Sequence, residues 1–153
     1  MDSKSTDISV QITSRIQEPD IYTERFETLT RNICRQFDVN RAVVSIAIVD
    51  DEGIIEINRR FLGRTSATDV ISFDLSDEDD DCRTFDIVIN ADQALRQAEK
   101  RGHPLQAELA LYITHGMLHN LGFDDAEEQQ AKEMHAMEDQ ILLNAGYGKI
   151  YDT

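Results

Sequence analysis

The sequence predicts an α+β fold, with helices packed on a mixed four-stranded sheet in a single domain. Its length, 153 residues, suits one domain with its own core. Strand-like and helix-like segments also alternate along the chain, and one long apolar helix carries two histidines one turn apart. We expect residues 1–7 to be a disordered N-terminus, residues 8–147 to form the domain and residues 148–153 to be a C-terminal tail.

Four segments are predicted to be strands. Residues 8–13 alternate apolar and polar side chains, as a half-buried strand does. Residues 42–49 are rich in β-branched residues, which favour strands. Residues 69–75 and 85–90 have low polarity, and this indicates central positions in the sheet. An acidic loop joins these last two strands.

The remaining segments are predicted to be helices. Asp20 is placed to cap the first of them, residues 50–53 form a turn before the second, and Gly102 ends the third. Apolar residues recur at helical intervals in the first helix, the fourth and the fifth. The predicted helices cover residues 21–37, 54–62, 92–102, 104–121 and 126–144.

The helix over residues 104–121 carries the clearest chemical pattern. His115 and His119 are four residues apart, so their side chains leave the same face with Cβ atoms about 5 to 6 Å apart. A third ligand requires the helix to stop first, and Gly122 is the residue type that most easily ends a helix. Phe123 can then anchor the returning chain on apolar surface, so that Asp125 can swing back as an oxygen ligand.

These residues suit a catalytic metal site. Histidines at this spacing are often ordinary hydrogen-bonded residues, but an otherwise apolar helix gains nothing from burying two imidazoles without a shared partner. Three protein ligands leave one coordination position of a tetrahedral ion for water, as in catalytic zinc sites. We therefore predict one Zn²⁺ per chain, with metal-bound water as nucleophile and base and no catalytic side chain assigned. The predicted ligands are His115, His119 and Asp125.

At this point the chain resembles a known family. HGMLHNLGFDD, from His115 to Asp125, is similar to the HGxLHLxGYDH signature of the endoribonuclease YbeY family. NRRFLGRTSATDVISF (58–73) resembles the second motif of that family, and FDIVI (85–89) resembles its GDIVI strand. The resemblance covers roughly residues 8 to 145. It implies a single-strand-specific, metal-dependent endoribonuclease of ribosomal RNA processing, acting in small-subunit 3′-end maturation and ribosome quality control. The implied partners are ribosomal RNA and the ribosome or its proteins.

The chain departs from the family pattern at two positions that matter for chemistry. Asp125 stands where the family usually has histidine, but a carboxylate oxygen also binds zinc. Leu62 stands where many members carry an arginine that is thought to contact substrate. Arginines 59, 60 and 64 flank Leu62, so a neighbouring guanidinium can supply that contact. The predicted substrate contacts are Arg60, Arg64 and Ser72, the last on the strand that borders the site by the resemblance.

Two alternatives to the nuclease remain. A zincin-like metallopeptidase also carries two histidines four residues apart on one helix, but there a glutamate follows the first histidine as general base. This chain has Gly116 at that position, so the peptidase hypothesis lacks its proton acceptor. The other alternative is a non-catalytic ribosome-associated factor whose acidic surface binds a basic protein.

The formal net charge of −15 conflicts with RNA binding, because nucleic-acid binders usually present a basic surface. Much of the negative charge lies in the loop over residues 74–81 and on the last helix, where solvated acidic faces are common. Basic residues gather in two clusters, at residues 59–64 and 100–103. If the fold brings both clusters to the mouth of the site, they can hold a phosphate chain.

Several other residues have simpler predicted roles. Glu108 is either a partner of a ligand imidazole or an exposed residue, while His103 and His135 are surface residues. Cys34 and Cys82 match no metal-binding or disulfide pattern, so we expect ordinary thiols in a reducing compartment. No run of 18 apolar residues and no apolar leader is present, so no membrane contact and a cytoplasmic location are expected.

Overall fold

The computed structural model describes residues 7–16 and 21–148. Strands and helices alternate in the first half of this part of the chain, and two successive strands and three successive helices follow. The strands are β1 (Asp7–Ser14), β2 (Arg41–Val49), β3 (Val70–Asp74) and β4 (Arg83–Asn90). The helices are α1 (Thr23–Gln36), α2 (Asp51–Ile57), α3 (Ala91–Arg101), α4 (Leu105–Asn120) and α5 (Glu128–Asn144). A π-helical segment (Asn58–Leu62) continues α2.

The four strands form one mixed sheet in the order β1, β2, β4, β3. Strands β1, β2 and β4 are parallel, and β3 runs antiparallel to β4. The mixed four-stranded sheet is confirmed, and β4 has the predicted central position. The prediction for β3 is wrong, because β3 is an edge strand. Its low polarity has another cause: α4 packs against β3, and the ring of Phe61 lies 6.0 Å from that of Phe73.

Helix α4 lies at the centre of the molecule. It contacts α1, α3, α5 and strands β3 and β4, and most of its residues are buried. A helix that is apolar on every side must be covered on every side, which explains its sequence. Its fully buried Leu109, Ile113, Met117 and Leu118 join a core that includes Phe26, Ile33 and Phe85. The helix that carries both histidines is therefore held rigidly by its neighbours.

The start of α2 differs from the prediction. Residues 50–53 do not form a separate turn, because Asp50 is the N-cap of α2 and its Oδ1 accepts a hydrogen bond from the Gly53 backbone N–H at 2.8 Å. Helix α1 begins at Thr23 with Tyr22 at its N-cap, and Asp20 lies outside the described residues. Pro104 is the N-cap of α4 and not its first helical residue.

The predicted tails fall mainly outside the described residues. Residues 1–6 and 149–153 are not described, and Asp7 is already the first residue of β1. Among the described helices, none has both the length and the apolar character that a membrane crossing requires.

Candidate metal centre

The end of α4 turns the chain back toward the two histidines. Gly122 has a φ of +104°, its N–H donates to the carbonyl of His119 at 3.1 Å, and the Phe123 N–H donates to the carbonyl of Leu118 at 3.0 Å. These two bonds form a Schellman motif. The Phe123 ring packs edge-on against Phe37 with centroids 5.6 Å apart. The predicted stop at glycine and the predicted phenylalanine anchor are both present.

The three predicted ligands converge. His115 Nε2 lies 3.1 Å from His119 Nε2, and the oxygens of Asp125 lie 3.7 Å from His115 Nε2 and 3.6 Å from His119 Nε2. A tetrahedral ion with bonds of about 2.0 to 2.1 Å separates its ligands by roughly 3.3 Å. Two imidazole nitrogens and one carboxylate oxygen are also a donor set that zinc accepts. The residues therefore fit one divalent ion of this kind.

Glu138 of α5 fixes the orientation of His115. Its Oε2 lies 2.7 Å from His115 Nδ1, and its Oε1 lies 2.9 Å from His135 Nδ1. A carboxylate only accepts hydrogen bonds, so Nδ1 of His115 carries the proton and the lone pair of Nε2 faces the other two ligands. Burial alone lowers the pKa of His115, but the hydrogen bond to Glu138 and the charges of Glu138, Asp69 and Asp125 outweigh it and raise the pKa above its ordinary value.

The structure corrects the predictions for two glutamates and two histidines. Glu108 is neither a partner of a ligand imidazole nor exposed, because it is fully buried and pairs with Arg101 at 3.2 Å. His135 is half-buried and bonded to Glu138, and His103 is partly buried, so neither is a simple surface residue. The acids of the last helix are predicted to be solvated, but Glu138 is fully buried. Its spacing from buried Met134, Ile141 and Leu142 could have placed it on the buried face.

A cleft of about 430 Å³ opens beside the two histidines. Arg64 and Ser72, two of the predicted substrate contacts, line it, and so does Leu62. Arg60, the third, is not among the lining residues, and its guanidinium pairs with Glu56 at 3.6 Å on the exposed face of α2. The remaining lining residues are Asn58, Thr68, Asp69, Val70, Ile71, His115, His119 and Asn120.

Asn58, in the π-helical segment, holds the loop that forms one wall of the cleft. Its side chain is fully buried, and its Nδ2 donates to the carbonyl of Ser66 at 2.8 Å and to Thr68 Oγ1 at 3.3 Å. The Arg64 N–H also donates to the carbonyl of Asn58 at 3.1 Å. Such π-helical turns are frequent at functional sites. Here the turn fixes the backbone from which Arg64 extends.

Asp69 is the carboxylate in the cleft that is not one of the three converging ligands. Its Oδ1 accepts a hydrogen bond from the Val70 N–H at 2.8 Å, and its carbonyl accepts one from the Asn90 N–H at 2.9 Å. In addition to these backbone contacts, Asp69 lies next to His115, since both residues line the cleft and a smaller pocket beside it. Its side chain is an available proton acceptor close to the converging ligands.

The position after His115 faces the sheet. A Cβ added at Gly116 would lie 3.1 Å from Ile87 Cγ2 and 3.3 Å from Val70 Cγ2. A glutamate at this position would therefore point into the sheet and away from the three ligands. The peptidase hypothesis, which needs a general base there, finds no support in this geometry.

The acidic loop is tied to the carboxyl end of α4 by Arg83. This guanidinium pairs with Asp74 at 3.1 Å and donates to the Asn120 carbonyl at 3.4 Å. The two basic clusters reach the site only in part, because Arg64 lines the cleft while Arg101 lines a smaller pocket next to it.

Known proteins are similar to this chain in sequence and in fold. The family model described as Endoribonuclease YbeY matches residues 11–146. The Endoribonuclease YbeY of Carboxydothermus hydrogenoformans is 41% identical over 104 residues, which cover 68% of this chain and 73% of that protein. That of Bacillus pumilus is 39% identical over 121 residues, which cover 72% and 76%. The solution structure of TM1509 from Thermotoga maritima shows the same fold, with a TM-score of 0.61 and 22% identity over 89% of this chain and 88% of that one. The chain belongs to the endoribonuclease YbeY family.

Proposed function

We propose that the protein is a Zn²⁺-dependent endoribonuclease that cleaves single-stranded RNA. The observation that carries this proposal is the convergence of His115 Nε2, His119 Nε2 and the Asp125 carboxylate beside an open cleft: the two nitrogens lie 3.1 Å apart, and each lies 3.6 to 3.7 Å from one of the two Asp125 oxygens. Membership of an endoribonuclease family supplies the reaction class. The substrate proposed is ribosomal RNA, in small-subunit 3′-end maturation and ribosome quality control in the cytoplasm, with ribosomal proteins as partners.

The three converging residues and Glu138 have distinct roles in this proposal. His115, His119 and Asp125 hold the ion, and Glu138 keeps the Nε2 lone pair of His115 directed at it. The ion, when bound, supplies a Lewis acid that neutralises charge developing on the phosphoryl group. These ligands leave one side of the site open to the cleft, where a scissile phosphate can approach.

The remaining polar groups of the cleft position the substrate and move the proton. The Arg64 guanidinium donates to phosphate oxygens, and the Ser72 hydroxyl donates to the ribose–phosphate backbone. Asp69, in place of the predicted metal-bound water, accepts the proton of the attacking hydroxyl, whether that is water or the ribose 2′-hydroxyl. The attacking oxygen bonds to phosphorus, the phosphorus–oxygen bond to the leaving nucleotide breaks, and the leaving oxygen takes a proton from solvent. Arg60 lies outside the cleft, and its exposed pair with Glu56 is weak enough to let it reach a neighbouring phosphate.

A single strand is proposed as substrate because of the size of the cleft. Its volume of about 430 Å³ is far smaller than an RNA double helix, and the donor atoms lie at its wall. An unpaired strand can bend a phosphate into such a cleft with its bases splayed outward.

The test is cleavage of an end-labelled single-stranded RNA, with its duplex as comparison. The wild-type protein with Zn²⁺ is expected to cut the single strand and spare the duplex, and a chelator or His119→Ala is expected to abolish cutting. His103→Ala, a histidine outside the cleft, is the control. Cleavage that persists in His119→Ala would contradict the proposal.

A non-catalytic factor that binds a basic protein through its acidic surface is the second candidate, and the net charge of −15 favours it. The same variant separates the two functions. A purely binding protein would show no cleavage, and His119→Ala would leave its binding to basic ribosomal proteins unchanged.

A further inference from the structure

A second, smaller pocket adjoins the cleft on the other side of His115. Its volume is about 180 Å³, and it shares Asp69 and His115 with the cleft. Its other lining residues are Gln93, Gln97, Arg101, Leu111 and Tyr112. We call it the side pocket. A strand whose phosphate lies at the three converging ligands would have its neighbouring nucleotide within reach of this pocket.

Two polar side chains at the side pocket have no hydrogen-bond partner in the described part of the chain. Tyr112 is 4% exposed, and its buried hydroxyl has no hydrogen-bond partner among the residues that the structure describes. The side-chain amide of Gln97, a partly buried residue, also has no hydrogen-bond partner within residues 7–16 and 21–148. Burial raises the pKa of the Tyr112 phenol, as do the charges of Asp69 and Glu108, so the hydroxyl remains a neutral donor. A buried hydroxyl without a partner is costly, and a ligand that bonds to it would remove that cost.

The charges at the side pocket disfavour a phosphate. Its single guanidinium, Arg101, is already paired at 3.2 Å with the fully buried Glu108, and Asp69 adds a further negative charge. The pocket therefore offers amide donors and acceptors, a phenol, a carboxylate and the apolar side chain of Leu111, without excess positive charge. A neutral, flat group with several donors and acceptors on its edge suits this lining, and a nucleobase is such a group.

We propose that the side pocket binds a nucleobase of the RNA, on the nucleotide next to the phosphate that is cleaved. The Gln97 amide and the Tyr112 hydroxyl bond to the edge of the base, and Leu111 packs against its face. This inference rests on the proposed nuclease function and adds a source of base preference to it. The phosphate contacts in the cleft position the RNA strand, and the side pocket discriminates among the bases of the neighbouring nucleotide.

Two substitutions test the side pocket without removing cleft residues. Tyr112→Phe deletes only the unpartnered hydroxyl, so the protein is expected to keep its stability. Gln97→Met keeps the length of a partly buried side chain and removes its amide. Tyr147→Phe is the matched control, because the Tyr147 hydroxyl is also buried without a partner among the described residues but its ring packs against Arg25 and lies outside both cavities.

The measurement is binding and cleavage of a short single-stranded RNA whose cut site has been mapped, with an abasic nucleotide placed in turn at each position beside that cut. One abasic position is expected to slow cleavage by the wild-type protein with Zn²⁺ by about fivefold or more, the size of one or two hydrogen bonds. Tyr112→Phe and Gln97→Met should reduce this sensitivity, and Tyr147→Phe should keep it. If abasic nucleotides affect the wild type and the three variants equally, the proposal that the side pocket binds a base is wrong. The proposed nuclease function would stand as long as the wild-type protein still cleaves RNA. A wild-type protein that neither binds nor cuts RNA would overturn the nuclease proposal and the pocket together.

Discussion

At the residue scale, Glu138 links the converging ligands to the core. It is fully buried on α5, yet both of its oxygens face imidazoles, those of His115 and His135. Groups that orient a ligand histidine typically change metal affinity by 10- to 100-fold when removed, a magnitude of roughly 1.4 to 2.7 kcal/mol. A buried carboxylate in this position is therefore part of the site although it touches no ion.

Glu138→Ala is expected to weaken Zn²⁺ binding by about 10- to 100-fold, and Glu138→Gln, which can still accept a hydrogen bond, should restore part of the affinity. Competition against a chromophoric chelator measures both. Glu133→Ala, on the exposed side of the same helix, serves as the control. Unchanged affinity in Glu138→Ala, with the fold intact by circular dichroism, would show that His115 needs no such partner.

The raised pKa of His115 gives a pH dependence. A proton and a metal ion compete for Nε2, so binding is complete above the pKa of His115 and weakens as the pH falls through it. Because Glu138 raises that pKa, the pH at which Zn²⁺ affinity begins to fall from its own high-pH value should be lower in Glu138→Gln, although that high-pH affinity is itself weaker. Dissociation constants measured across a pH series check this, and an onset that does not move would count against the hydrogen bond as its cause.

The three converging residues and Glu138 differ in how far sequence could reveal them. The four-residue spacing of the histidines and the glycine that ends α4 are local signals, so the approach of Asp125 could be predicted. The partner of His115 lies on another helix, 23 residues later, and only its place on the apolar face of α5 hinted at burial. Contacts between helices depend on packing angles that a single sequence does not show.

At the scale of elements, the contact between α4 and the sheet sets the position of both histidines. Gly116 allows this approach, since the space beside it is filled by Ile87 and Val70. Element boundaries that depend on local caps were largely predictable, as at Gly102 and Gly122. The edge position of β3 was not, because the order of strands is set by long-range pairing and not by polarity alone.

Gly116→Val is expected to destabilise the protein by roughly 1 to 3 kcal/mol, because the new methyl groups would push α4 from the sheet. Zn²⁺ affinity should also fall, because the displaced α4 would move His115 and His119 relative to Asp125. Ala136→Val, at an exposed position of α5, introduces the same residue without the contact and should cost only about 0.5 kcal/mol of helix propensity. Urea denaturation compares them, and equal losses in the two variants would refute the packing argument.

At the scale of the whole molecule, the net charge of −15 works against binding a polyanion. The cleft offers one lining guanidinium, Arg64, and the acidic loop is anchored near the end of α4. RNA affinity should therefore depend on few phosphate contacts and respond weakly to salt. For a single strand, the logarithm of the binding constant should fall with the logarithm of the salt concentration by a slope of about 0.7 per contact. A divalent ion held by His115, His119 and Asp125 would supply much of the local positive charge.

Leu62→Arg should strengthen RNA binding and steepen its salt dependence, because Leu62 lines the cleft and is 43% exposed. Leu143→Arg makes the same change in net charge at an exposed leucine on α5, away from the cleft, and should have a smaller effect. Fluorescence anisotropy over a salt series compares the two. Equal gains would mean that overall charge, and not the cleft, controls binding.

The central claim is that His115, His119 and Asp125 together hold one ion, and elemental analysis of the purified protein tests it most directly. After dialysis against Zn²⁺ and then against metal-free buffer, the wild-type protein should retain about one zinc per chain. Asp125→Ala should retain far less, while Glu128→Ala, which removes an equally negative but exposed side chain, should match the wild type. Wild-type protein without bound metal, or full zinc in Asp125→Ala, would contradict the account.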